Sequence, residues 1–267
     1  MRAIESGASP AALNMAVDES LFANFDSASE EPVLRLYGWN RPCISLGYFQ
    51  KANDAIRKKS CDKMGVDVVR RITGGRAVLH DQEVTYCVVA SSRRGPFAGQ
   101  LLDCYRAIAD CLSAGCEALG LDRDKLEVVT GRGTGGRSAS AACFMMASAY
   151  EILVGGRKLI GSAQKRGDGA FVQHGSIPLR IDMALARSVM HLDGVSGELS
   201  AVQGPVCLEE AVGRQLDYEE VRHAIAKGFA SCLGTSIEWS DMSEGERKLA
   251  EKLARDKYSL ESWTYRR

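Results

Sequence analysis

Two periodicities divide this chain into elements. Leu13, Val17 and Leu21 recur every fourth residue, which predicts a helix with that stripe turned to a core. Ser9-Pro10 stands in front of it, with Ser9 as the cap and Pro10 at the first helical position. Residues 33–37 and 43–48 read as strands parted by a turn at Asn40-Arg41-Pro42. Residues 66–71 form another strand running into Gly74-Gly75, and the β-branched run at 84–89 predicts a buried one. The longest amphipathic stripe, Leu101, Tyr105, Ile108, Leu112, Cys116 and Leu119, predicts a helix over 101–119.

A glycine-rich run at 131–138 reads as a loop, followed by strand-like segments at 143–154, 158–165 and 171–179. Gly155-Gly156 supplies the hairpin turn between the first two. Beyond about residue 206 the pattern turns helical. Asp217 with Glu220 opens one helix that Gly234 ends, and Ser243 with Glu246 opens a charged one carrying Leu249 and Leu253. There is no internal repeat. The sum is an α+β fold: a mixed-sheet catalytic domain over 1–205, and a small helical C-terminal extension over 206–267 packed on the same domain.

Composition narrows the function classes. Lysine plus arginine and aspartate plus glutamate number 34 each, so a zero formal charge gives no support to nucleic-acid or membrane-surface binding. A local basic patch for an acidic partner remains compatible with that balance. The nine cysteines include no CxxC pair, which argues against a zinc ribbon or a disulfide framework and for a reducing cytoplasm. No signal-like N-terminus and no run of 18 apolar residues is present, so no membrane span is expected.

Cys143 stands apart from the other cysteines by its setting. It follows the glycine-rich run and the small residues Ser138-Ala139-Ser140-Ala141-Ala142, whereas Cys87, Cys104 and Cys111 fall in apolar strand or helix positions. Lys158 comes fifteen residues later. A thiol and an amine suit acyl transfer through a covalent thioester, because cysteine is readily made nucleophilic near neutral pH and lysine moves the proton. On spacing alone Lys158 is equally a surface lysine at a hairpin. Upstream lies Arg70-Arg71-Ile72-Thr73-Gly74-Gly75-Arg76-Ala77-Val78-Leu79-His80-Asp81. Its glycines let backbone approach a ligand with free amides, and Arg70, Arg71 and Arg76 suit a phosphate or carboxylate. The motif is neither GxxxxGK[ST] nor GxGxxG, and an ordinary turn with solvated arginines is the alternative. The run at 131–138 lacks a lysine followed by Ser or Thr and reads as a flap. His80 and His174 serve as structural residues or as bases; sequence chooses neither.

The motif from Arg70 to Asp81 resembles the signature of the lipoate-protein ligase, octanoyltransferase and biotin-ligase superfamily. Asn14-Met15-Ala16-Val17-Asp18-Glu19 resembles its first-helix motif, and Gly156-Arg157-Lys158-Leu159-Ile160-Gly161-Ser162-Ala163-Gln164 its lysine motif. The three occur in family order within residues 12–180. Gly-Gly-Arg-Ala-Val, His80 to Tyr86, Cys143-Phe144 with Tyr150-Glu151, and Gln173 to Ile177 are similar to the LipM-type octanoyltransferases rather than to ATP-using ligases. Met145-Met146-Ala147-Ser148-Ala149 departs from that branch by being less polar.

The resemblance implies a biotin/lipoate-ligase-type mixed β-sheet and octanoyl transfer from octanoyl-acyl carrier protein to a lysine of a lipoyl domain, the glycine-cleavage H protein being the expected acceptor. Cys143 would hold the acyl group and Lys158 exchange the proton, with Arg71, Gly74, Gly75, His80, Gly161, Ser162 and Ala163 around the substrate. No metal and no nucleotide cofactor is expected, because a thioester arrives already activated. An ATP-dependent lipoate-protein ligase and a non-catalytic module binding acyl carriers or lipoyl domains are the alternatives.

Overall fold

Two sheets share the strands of this chain, and a computed structural model describes residues 1–129, 151–192 and 204–267. The strands are β1 (Arg2–Ser9), β2 (Val33–Trp39), β3 (Cys43–Leu46), β4 (Asp67–Arg70), β5 (Val78–His80), β6 (Glu83–Ser91), β7 (Leu126–Val128), β8 (Ile152–Val154), β9 (Arg157–Gly167), β10 (Ala170–Pro178) and β11 (Glu238–Trp239). The larger sheet runs β11-β1-β2-β6-β10-β9-β8-β7 and the smaller β4-β3-β5. Both are mixed: β1 lies parallel to β2 and β11, β6 antiparallel to β2 and β10, and β3 pairs parallel with β4 but antiparallel with β5.

Both faces of the large sheet are covered, which is why β2, β6 and β10 are buried along their whole length. Leu34, Leu36, Val84, Tyr86 and Val88 meet α4 (Leu101–Ala118) and α7 (Tyr218–Leu233) on one face. Val33, Tyr37, Cys87 and Val89 meet α1 (Ala11–Asn24) on the other. A third cluster, with Ile44, Leu46 and Ala77, fills the small sheet against Ala52–Ala55, Lys58–Met64 and Met183–Val189. The C-terminal helices Glu244–Leu253 and Glu261–Thr264 close over the α1 face. No described helix is long and apolar enough to cross a membrane.

Several sequence expectations change in detail. Ser9 ends β1 and caps nothing; Pro10 is the N-cap, and its carbonyl takes the Asn14 amide at 3.0 Å. Leu101 is 44% exposed, so the apolar stripe of α4 begins at Cys104. The Asp217 and Ser243 caps form as expected, and Ser243 with Glu246 makes a full capping box. Gly155 and Gly156 take φ values of 55° and 72°, the left-handed pair that a two-residue hairpin loop demands.

Candidate active site

β5, β9, β10 and the turn after β4 enclose a cavity of about 470 Å³, part of it open to solvent. Met15, Tyr37, Trp39 and Val78 make its wall largely apolar. Arg71, Gly75, His80, Lys158, Gly161, Ser162 and Ala163 also line it, so residues 92 positions apart in the chain meet there. Gly74 adjoins the wall through the carbonyl that takes an Arg71 donor. Cys143, the run at 131–138 and the stretch Met145 to Ala149 lie outside the described residues.

Arg71 is 4% exposed, and all five of its donors are occupied. Nε donates to Thr73 Oγ1 at 3.1 Å, Nη1 to Ser45 O and Oγ at 2.6 and 3.0 Å, and Nη2 to Gly74 O and Arg76 O at 2.8 and 2.7 Å. The planar fork therefore shapes the turn as a scaffold. Gly75, at φ 91°, would set a Cβ 2.9 Å from Arg71 Nη2. Among the described residues the amides of Gly74 and Gly75 find no acceptor.

Two carboxylate–histidine chains converge on this turn. Asp18 Oδ2 lies 2.8 Å from His174 Nδ1, and His174 Nε2 lies 2.7 Å from Thr73 Oγ1. Burial alone would raise the Asp18 pKa, but the Arg35 guanidinium and His174 hold it below the ordinary carboxylate value. Burial, reinforced by Arg71 and His80, pushes His174 below the usual imidazole value against the pull of Asp18. The ionised Asp18 thus takes the Nδ1 proton of a neutral His174, whose Nε2 accepts from the Thr73 hydroxyl.

The second chain runs from Glu83 through His80 Nδ1 at 2.7 Å and on from Nε2 to Ser45 Oγ at 2.7 Å. Burial would raise Glu83, yet His80, Ser176 and Thr85 keep it low. Trp39 stacks on His80 at 4.4 Å. Sequence alone gives neither carboxylate a role. The available signal was polar residues on buried faces: Asn14 and Asp18 share the inward side of α1, and Arg35 stands in an apolar strand.

Those pKa directions carry a pH prediction. A histidine lowered on folding binds fewer protons than its unfolded counterpart of about 6.5, so stability is full above that pH and declines as pH falls below it. Asp18 and Glu83, also lowered, add their own loss only below the ordinary carboxylate range, about 4. The thermal midpoint should fall between pH 7.5 and 5.5, and His174→Gln should flatten that slope. A wild-type midpoint equal at both pH values would contradict it.

Lys158 is not the surface lysine that its hairpin position suggests. It is 5% exposed, and its Nζ donates to Glu151 Oε1 at 2.5 Å. Glu151 itself is 2% exposed. The Gly155-Gly156 turn folds β8 back along β9, with Leu153 opposite Lys158, and so returns Glu151 to the lysine. Gly161 is what leaves room for it, since a Cβ there would stand 2.7 Å from Lys158 Cε. A buried ammonium fixed by a carboxylate at the wall of an apolar cavity has the chemistry for proton transfer or for charge stabilisation.

The chain matches the lipoyl protein ligase A/B catalytic domain over residues 10–230 and belongs to that family. Octanoyltransferase LipM of Kyrpidia tusciae is 40% identical over 271 residues, spanning 100% of this chain and 98% of that protein. Octanoyltransferase LipM of Symbiobacterium thermophilum is 38% identical over 277 residues, with coverage of 100% and 98%. Among solved structures, a putative lipoate protein ligase of T. acidophilum with bound lipoic acid superposes with TM-score 0.82 at 23% identity, covering 100% of this chain and 99% of the other. A lipoate-protein ligase A bound with ATP gives 0.81 at 24%, with coverage of 99% and 98%. The expected lipoate-ligase-type mixed sheet with C-terminal helices is therefore the fold observed.

Proposed function

We propose that this protein is an octanoyltransferase of lipoate biosynthesis, moving octanoyl from octanoyl-acyl carrier protein to a lysine of a lipoyl domain, the glycine-cleavage H protein in the first instance. The observation that carries the reading is the buried Lys158–Glu151 pair at the wall of an apolar cavity, in a chain whose full-length relatives bear that activity in their names. The eight-carbon chain fits such a wall because each buried methylene contributes about 0.8 kcal/mol.

Cys143, as thiolate, attacks the thioester carbonyl while Lys158 is an ammonium. The carbon–sulfur bond to the donor breaks, and the departing thiolate takes a proton from Lys158. The neutral amine of the acceptor lysine then attacks the Cys143 thioester. Lys158, now an amine, removes the proton from the attacking nitrogen, the amide forms, and Cys143 leaves as thiolate. The free Gly74 and Gly75 amides suit the tetrahedral oxyanion. Arg71, His80, Gly161, Ser162 and Ala163 bound the acyl chain beside them. The described cysteines are all free thiols, in keeping with work in a reducing cytoplasm.

Purified protein should octanoylate a lipoyl domain from octanoyl-acyl carrier protein with ATP and magnesium both omitted. Strict dependence on ATP with free octanoate or lipoate as donor would replace this reading with the ligase one. Binding of both partners without turnover would replace it with the non-catalytic module.

A further inference from the structure

The cavity wall is backed by a second feature that the bond-making steps themselves do not use. Gly75 packs backbone to backbone on Gly47, where a Cβ would meet Gly75 O at 1.8 Å. The Tyr48 amide donates to Thr73 O at 2.9 Å. The loop 47–50 thus rides directly on the turn that bounds the cavity. Phe49 at its tip is 69% exposed.

Cations gather around this loop. Arg70 is wholly buried beneath it, donating from Nη1 to Gly47 O at 2.6 Å and Gln50 O at 2.7 Å, while its Nη2 has no partner among the described residues. Arg266 lies between Tyr48 and Trp263, 3.8 and 4.2 Å from their ring centres, with its Nε also unpartnered among the described residues. Arg267 stands 5.6 Å over Phe49, and its backbone oxygen holds the Ala52 amide beside exposed Lys51. Lys165 completes the group, acting with Arg266 and Lys257 to hold the Tyr48 hydroxyl below its ordinary pKa, Arg266 contributing most.

Lys257 is paired with Glu19, but no carboxylate pairs with Arg70, Arg266, Arg267, Lys51 or Lys165 among the described residues. In a chain of zero net charge, five such cations around an exposed phenyl ring are a local excess. That combination matches an interface with an aromatic anchor inside a steering field.

We propose that the loop 47–50 with Lys51, Lys165, Arg266 and Arg267 docks the acidic face of the protein that delivers the acyl group as a thioester. The proposal rests on the octanoyltransferase reading. An aromatic anchor among cations suits an acidic protein helix with apolar side chains better than a bare polyanion. The patch also stands one loop away from the cavity. A donor whose acyl group rides on a long pantetheine arm docks its body at such a distance. An acceptor presenting a lysine side chain must bring its backbone much closer to the reacting carbon.

The test compares the wild type with Lys51→Glu/Lys165→Glu/Arg267→Glu and with Phe49→Ala. Enzyme acylation is followed from octanoyl-acyl carrier protein and from octanoyl-pantetheine, the arm without its protein. Binding of labelled holo-acyl carrier protein is read by fluorescence anisotropy. The charge reversal should raise KM and Kd for the carrier about tenfold or more and flatten their salt dependence. The reaction with octanoyl-pantetheine should be unchanged, which also shows that the variants fold. Unchanged carrier KM and Kd, or a rise confined to the KM of the lipoyl domain, overturns the proposal. Failure of both donors to acylate the wild type refutes the transferase reading instead, and the anisotropy still decides the docking surface.

Discussion

Cys143→Ala and Cys143→Ser should both abolish the covalent octanoyl-enzyme and reduce transfer by on the order of 10⁴–10⁶-fold, the scale on which loss of an essential nucleophile acts. The effect is this large because the proposed two-step route exists only through that thiol. Without it the acceptor lysine must attack the carrier thioester directly, while Lys158 is still an ammonium and cannot take its proton. Mass spectrometry of the intact protein after incubation with octanoyl-acyl carrier protein should show one added octanoyl group, labile to hydroxylamine. The serine variant is informative because its hydroxyl stays protonated where a thiol ionises. An adduct surviving in both variants would remove Cys143 from the mechanism.

Lys158→Met should cut turnover by about 10²–10⁴-fold, roughly 3–5 kcal/mol of barrier. It should also destabilise the fold, because the buried Glu151 carboxylate would lose the ammonium that offsets its charge. Breaking a buried pair from one side costs about 3–5 kcal/mol, which lowers the thermal midpoint of a chain this size by roughly 10 °C. Stability and chemistry are separated by the double variant Lys158→Met/Glu151→Met. Two apolar side chains of similar volume remove both charges, so the midpoint should return close to that of the wild type while transfer stays lost. Lys158→Arg is not a mild substitution, since the longer side chain must fit against Gly161, already within van der Waals reach of the lysine stem. Near-normal transfer by Lys158→Met would refute the Cys–Lys scheme and move the search for a base to His80 or His174.

Three of the strands that sequence missed share one cause. β1 buries little beyond Ala3 and Ile4, and β7 and β11 span only three and two residues. Such segments carry too few apolar positions for an alternation to register. They become strands because β2, β8 and β1 respectively offer them hydrogen-bonding edges. The second hairpin turn, Asp168-Gly169, carries an ordinary Asp-Gly signal and takes φ values of 50° and 81°.

Local chemistry was what sequence alone determined here. Periodicity and turn residues located α1, β2, β3, β6, α4, the Gly155-Gly156 hairpin and the capped C-terminal helices, since each depends on residues a few positions apart. Motif order placed the glycine turn and Lys158 in one family. Tertiary structure decided which charges meet. Asp18 finds Arg35 17 residues away and His174 156 away, while Ser176 closes on Glu83 from 93 residues away. It also turned Arg71 from a ligand-facing cation into the scaffold of its own turn, and Lys158 from a surface residue into a buried one. The physical reason is desolvation. A charge removed from water must find its partner wherever the sheet register delivers one, and that register is a property of the assembled strands rather than of any short segment.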